Sequence, residues 1–155
     1  MKGPSFRCLF LLSILMIMLL PAMSQDNKLC TLGTLPSVIL KPGVVCANAD
    51  GVKILDVIAQ LIIDNPGCKV AVISNCDFGK MNQQLSWDRV NQIINYFVEK
   101  KGIRQERFIF RYCDGGGDTN TIDFQATEEE GANDVPAPFM PMSKLLKVRL
   151  QKCSY

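Results

Sequence analysis

From residue 37 to residue 112 the spacing of apolar residues alternates between that of a strand and that of a helix. That alternation limits the chain to a layered α/β fold. Residues 37–40 read as a short strand closed by Lys41-Pro42-Gly43. From Asn48 the period changes: Val52, Leu55, Ile58, Leu61 and Ile62 recur at helical spacing, with Asp50 near the start, where its charge suits the helix dipole. Asn65-Pro66-Gly67 ends that helix. The run KVAVIS at residues 69–74 is dense in β-branched residues and reads as a buried strand. A second helix is predicted over residues 82–101, with Leu85, Val90, Ile93, Ile94 and Phe97 as its apolar stripe. Lys100 and Lys101 fall in its last turn and Gly102 just past it. Residues 107–112 form the next strand and residues 114–118 a glycine-rich loop. Residues 125–143 read as a long irregular connection, and residues 145–151 as a final strand. Two strand–helix–strand units then share one sheet, with the helices on one face.

The 155 residues suffice for one domain with a core. Residues 1–24 read as a cleavable secretory signal: Lys2 and Arg7 precede an apolar run at residues 9–20, and small residues Ala22 and Ser24 follow. That run is short for a membrane span. Removing the segment takes away Lys2, Arg7 and Cys8, so the 15 acidic residues are matched by as many basic ones. This balance argues against nucleic acid or an anionic membrane surface as the main partner. Six cysteines remain, Cys30, Cys46, Cys68, Cys76, Cys113 and Cys153, an even set that suits disulfides in an oxidising compartment. They allow 15 connectivities. No Cys-x-x-Cys pair and no His is present, which disfavours zinc or thioredoxin chemistry and removes every His-based triad, base and ligand. Without a nucleophile–base pair, an enzyme is not expected, nor is a cofactor. Residues 25–36 form a polar lead-in, and residues 37–155 make up the domain. Cys30 follows Lys28-Leu29 well beyond the apolar run, which disfavours a lipid anchor.

The most informative stretch is Ser74-Asn75-Cys76-Asp77 with the helix that follows. Asp77 lies just past the C-terminal end of a buried strand, where sites of α/β sheets sit. The next helix N-terminus adds a partial positive charge there. Arg89 lies about two turns into that helix, roughly 10 Å along its axis, and its long side chain can reach back. A carboxylate and a guanidinium flanking one cleft suit a zwitterion, with Asp77 taking an ammonium and Arg89 a carboxylate in a bidentate contact. The same pair also fits an Asp77–Arg89 ion pair that ties loop to helix.

Asp77 followed by Asn82, Leu85, Ser86 and Arg89 resembles the signature of the OmpA C-terminal domain family, which includes Pal and the MotB periplasmic domain. The similarity extends over residues 37–125 through Pro66, Lys69-Val70, Tyr96, Lys101-Gly102-Ile103 and Arg107-Phe108. The resemblance implies a βαβαβ sandwich with a mixed sheet and helices on one face, here with an extra C-terminal strand. It implies non-covalent binding of peptidoglycan, with Asp77 holding the ammonium and Arg89 the carboxylate of a stem-peptide diaminopimelate. Asn82, Leu85 and Ser86 would shape the pocket. It also implies a periplasmic protein, with an outer-membrane protein as a further partner. A second reading is an OmpA-like subunit of an outer-membrane complex that has lost the ligand.

This chain departs from that pattern in three ways. Ser74-Asn75-Cys76-Asp77 stands where Gly-His-Thr-Asp is usual, the Asp77-to-Arg89 segment is shorter, and the late Asn-Arg-Arg element is absent. Cys76 replaces a pocket hydroxyl. Its expected partner is Cys113, at the same end of a neighbouring strand.

Four further features carry two readings each. Trp87 can stack on a sugar or cover a core edge. The glycines at 115–117 can approach a ligand or make a flexible turn. Glu128, Glu129 and Glu130 can bind a cation or form a solvated face. The PAPFMP stretch at residues 136–141 can dock on a partner or strap the sheet edge.

Overall fold

The computed structural model describes residues 30, 32–77, 79–114, 116–138, 153 and 155. Its elements are β1 (Val38–Ile39), α1 (Ala49–Asp64), β2 (Lys69–Ser74), α2 (Lys80–Asn95), β3 (Phe108–Tyr112) and β4 (Thr121–Thr127). A π-helical turn, Tyr96–Lys100, extends α2, and a 3-10 turn, Gln105–Arg107, leads into β3. The fold is mixed α/β, a four-stranded sheet in the order β1-β4-β2-β3 with two helices. β2 and β3 run parallel; β4 is antiparallel to both β1 and β2.

The helix boundaries follow local chemistry. Asn48 caps α1, its Oδ1 accepting from the Gly51 amide at 2.8 Å. Asn65 closes it, and Cys68 N–H returns to Asn65 O at 3.1 Å. At the other helix end Gly102 sits at φ +68°, a left-handed position that suits glycine. Its amide donates to Val98 O and that of Ile103 to Phe97 O, which gives two of the last-turn carbonyls a donor.

The register places Val38, Ile122, Val72, Phe124, Phe110, Val70 and Phe108 on one sheet face. Leu55, Ile58 and Ile62 from α1 join them in a single cluster with Val90, Ile93, Ile94 and Phe97 from α2. Both helices therefore cover that face. The second face is closed differently. Ala71 and Ile109 are buried there, and Gly131 lies directly on Ile109, where a Cβ would come within 2.5 Å.

One sequence expectation is corrected. Residues 125–127 do not open the irregular connection: they end a strand the sequence reading did not assign, Thr121–Thr127, which sits between β1 and β2. Ile122 and Phe124 point into the core while Asp123 and Gln125 alternate outward, so the segment is a half-buried antiparallel strand of mixed polarity. The irregular stretch begins at Glu128. The strand expected at residues 145–151, like the signal segment, lies outside the described residues.

The chain after β4 crosses the open face toward the β3 edge. Glu128 Oε1 accepts from the Cys30 amide at 2.8 Å, Glu129 pairs with Arg111 at 3.1 Å and Glu130 with Lys69 at 2.7 Å. The acidic run is therefore a set of ties across the strands. Ala132 O then accepts from Phe110 N–H at 2.8 Å, and Val135 O from Trp87 Nε1 at 2.7 Å. Residues 128–135 thus strap the sheet edge. Trp87 covers the core border against Phe110, their ring centroids 5.6 Å apart.

Three disulfides tie the layers: Cys30–Cys68, Cys46–Cys153 and Cys76–Cys113. Tyr155 packs edge-on against Tyr96 at 4.9 Å, and its hydroxyl accepts from the Ala47 amide at 3.4 Å. Among the described residues, no helix is long and apolar enough to cross a membrane.

Candidate functional site

The C-terminal end of β2 and the first turns of α2 meet two loops, residues 41–44 and 113–120, around a cavity of about 210 Å³. Asp77, Asn82, Leu85, Ser86 and Arg89 all line it. Pro42 and Gly43 come from the turn after β1, in which Gly43 has φ +70° and Val44 N–H donates to Lys41 O. Thr119 and Asn120 come from the loop before β4.

Arg89 lies inside the protein, only 1% exposed. Its Nε donates to Val44 O at 2.9 Å, and its Nη2 to Lys41 O at 3.0 Å and to Asn120 Oδ1 at 3.3 Å. Nη1 donates to Thr119 O. The guanidinium does not reach back to the helix start as expected from its spacing. It reaches sideways, because the two turns leave carbonyls that need donors. With these partners one Nη1 hydrogen of its five remains, so the bidentate contact expected for a ligand carboxylate gives way to a single bond at most without displacing a carbonyl.

Among the described residues, no carboxylate ion-pairs with Arg89. Burial pushes its pKa down, and the nearby Asp118 charge pushes back. Asp118 itself is held below the usual carboxylate range, first by the Asn120 amide, then by the Thr121 hydroxyl. Asp77 is exposed and makes no ion pair with Arg89, so the loop-to-helix tie considered from the sequence does not form. Its backbone carbonyl accepts from Gly79 N–H at 2.7 Å, which turns the chain into α2. Asn82 stands exposed beside Gly79, and Leu85 is half-buried at the cavity wall.

Ser86 is buried and fully engaged: its hydroxyl donates to Ser74 O and accepts from Cys113 N–H, both at 3.1 Å. It locks α2 to the ends of β2 and β3. Cys113 adopts φ +53°, among the described residues the one non-glycine in the left-handed region. There the chain leaves β3 for the glycine-rich loop, and the bond to Cys76 ties that loop to the Asp77 segment. Cys76 lines the cavity beside Asp77.

Sequence reasoning named Asn75 within its most informative stretch, but did not single out Thr119 or Asn120 as parts of this cavity, nor the carbonyls of Lys41 and Val44 as acceptors for Arg89. Backbone acceptors carry no residue-type signal, and the two loops meet only through the sheet order. Among the described residues no group of acidic, cysteine or histidine side chains is placed to hold a metal ion. Comparison with family models and with curated proteins finds no match for this chain.

Proposed function

We propose that this chain is an exported, non-catalytic binding protein of the OmpA-like type that recognises the diaminopimelate of the peptidoglycan stem peptide. One observation carries the reading: a buried guanidinium that forms no ion pair among the described residues, with Asp118 only nearby, lines the same cavity as an exposed carboxylate. A buried charge draws an opposite one. The carboxylate of an amino acid brings it, and its ammonium meets Asp77 on the open side. The cavity is smaller than the roughly 300–1,000 Å³ common for whole small-molecule sites. It suits one amino-acid end group, not a disaccharide. The mixed sheet with both helices on one face, and the spaced match from Asp77 to Arg89, support the family resemblance. Three disulfides support an oxidising compartment such as the periplasm.

The second reading is a subunit of an outer-membrane complex without wall binding. It draws on Arg89, whose four protein acceptors give it a structural task of its own. Co-sedimentation with isolated diaminopimelate-type sacculi separates the two. The protein is expected in the pellet and Asp77→Asn in the supernatant, with an unchanged melting curve. Pelleting of neither overturns the wall-binding reading and leaves the subunit; pelleting of both alike overturns recognition through Asp77.

A further inference from the structure

Two loops hold Arg89, and they hold it differently. Nε and one Nη2 hydrogen go to Val44 O at 2.9 Å and Lys41 O at 3.0 Å, both backbone oxygens of the turn after β1. From the loop before β4, Thr119 O accepts from Nη1 and Asn120 Oδ1 accepts the second Nη2 hydrogen at 3.3 Å. That last bond is the longest of the four and the one made by a side chain. The Asn120 backbone is fixed without it: its N–H donates to Asp118 Oδ1 at 3.1 Å and its carbonyl accepts from Leu40 N–H at 2.8 Å. The carboxamide hangs from this pinned backbone, is half-buried and lines the cavity. It can change rotamer with the loop left in place, which a backbone carbonyl cannot do.

We propose that Asn120 is a displaceable stand-in for the ligand carboxylate: its Oδ1 holds a hydrogen of Arg89 until an entering carboxylate turns the side chain out and takes its place. This rests on the binding reading above. Once Oδ1 has left, one hydrogen on Nη1 and one on Nη2 are available, two donors for a bidentate contact. A carboxylate carries the charge that a carboxamide lacks, and hydrogen bonds between two charged groups are the stronger ones. The exchange therefore favours an anionic end group and gives a neutral one no advantage over the Asn120 oxygen. Asn120 thus sets both the strength and the charge selectivity of the site.

The test is isothermal titration of the full oxidised protein with meso-diaminopimelate. Asn120→Ala removes the competing acceptor and is expected to tighten binding about three- to tenfold. Asn120→Asp keeps the shape, puts a charge on the same Nη2 hydrogen and is expected to weaken binding at least about tenfold. A residue that only shaped the wall would weaken binding in both variants. Should Asn120→Ala not fold, nuclear magnetic resonance of the unaltered protein decides: saturating diaminopimelate is expected to shift the Asn120 side-chain amide toward free-carboxamide values, and an unmoved side chain overturns the proposal. Binding by the unaltered protein that is unchanged or weaker in Asn120→Ala, or unchanged in Asn120→Asp, overturns the role of Asn120 and leaves the Asp77–Arg89 reading standing. Binding by Asn120→Ala alone supports both, and no binding by any of the three proteins overturns both.

Discussion

Two side chains of opposite charge line the cavity, and they differ in what their removal does to the fold. Asp77 is exposed, so Asp77→Ala should change stability by no more than about 0.5 kcal/mol in urea denaturation while removing ligand binding. Arg89 fills a buried space and satisfies acceptors from Val44, Thr119, Lys41 and Asn120. Arg89→Ala leaves those groups unpaired beside a void and should cost about 3–5 kcal/mol by the same measurement. An Arg89→Ala variant that is as stable as the parent would show that the loop carbonyls find other donors. Asp88, one residue before, is a buried carboxylate on α2, with Gln84 Nε2 donating to it at 2.9 Å. Burial pushes its pKa up, and the Gln84 bond pulls it back. A carboxyl raised in the folded protein contributes stability below the unfolded carboxyl pKa and loses it as pH rises through the folded one. Asp88→Asn should therefore raise the urea midpoint at pH 7, with the gain shrinking as pH is lowered through the carboxylate range. The sequence marked Arg89 as functional but was silent on its partners, since three of its four acceptors are backbone oxygens.

Among the elements, both helices follow the sequence closely because their signals are local. Asn48, Asn65 and Gly102 act within one turn of their own position. Gly102 has open space where a Cβ would go, so only its positive φ resists substitution. Gly102→Ala should cost about 1 kcal/mol of stability, read from the thermal midpoint. Ile93 is fully buried in the shared core. Ile93→Asp should lower stability by about 4 kcal/mol or more, and a folded variant with the parent's midpoint would contradict the common helical layer. β4 shows the opposite case. Its alternation of Ile122 and Phe124 with Asp123 and Gln125 is a strand signal, but a short one between a glycine run and an acidic run. The strand reaches its central place by pairing with β2 through residues 48 to 58 positions away in sequence, from Ser74↔Ile122 at the near end to Lys69↔Thr127 at the far end. Such pairing is decided by the sheet, not by the segment.

For the whole molecule the disulfides are the largest covalent constraint. Cys46–Cys153 closes 107 residues of sequence separation, and Cys30–Cys68 closes 38. In the chain-entropy model these loops are worth up to about 5 and about 4 kcal/mol. Replacing the Cys46–Cys153 pair with serines should therefore lower the denaturation midpoint more than replacing Cys30–Cys68; the reverse order would indicate that strain or residual structure outweighs loop entropy. The Cys76–Cys113 bond was readable from the sequence once β2 and β3 were taken as neighbours, since parallel strands bring equivalent ends together. The strap of residues 128–135 was not, because its ties run to Arg111, Lys69, Phe110 and Trp87 on three different elements. By itself the sequence determined the helices, the buried strands and the chemical types gathered near Asp77, because periodicity, caps and residue identity act over a few positions. Only the tertiary structure decided the strand order, the carbonyls that hold Arg89 and the place of Asn120 beside it. Those depend on which distant segments the sheet and the disulfides bring into contact, and no local pattern encodes that.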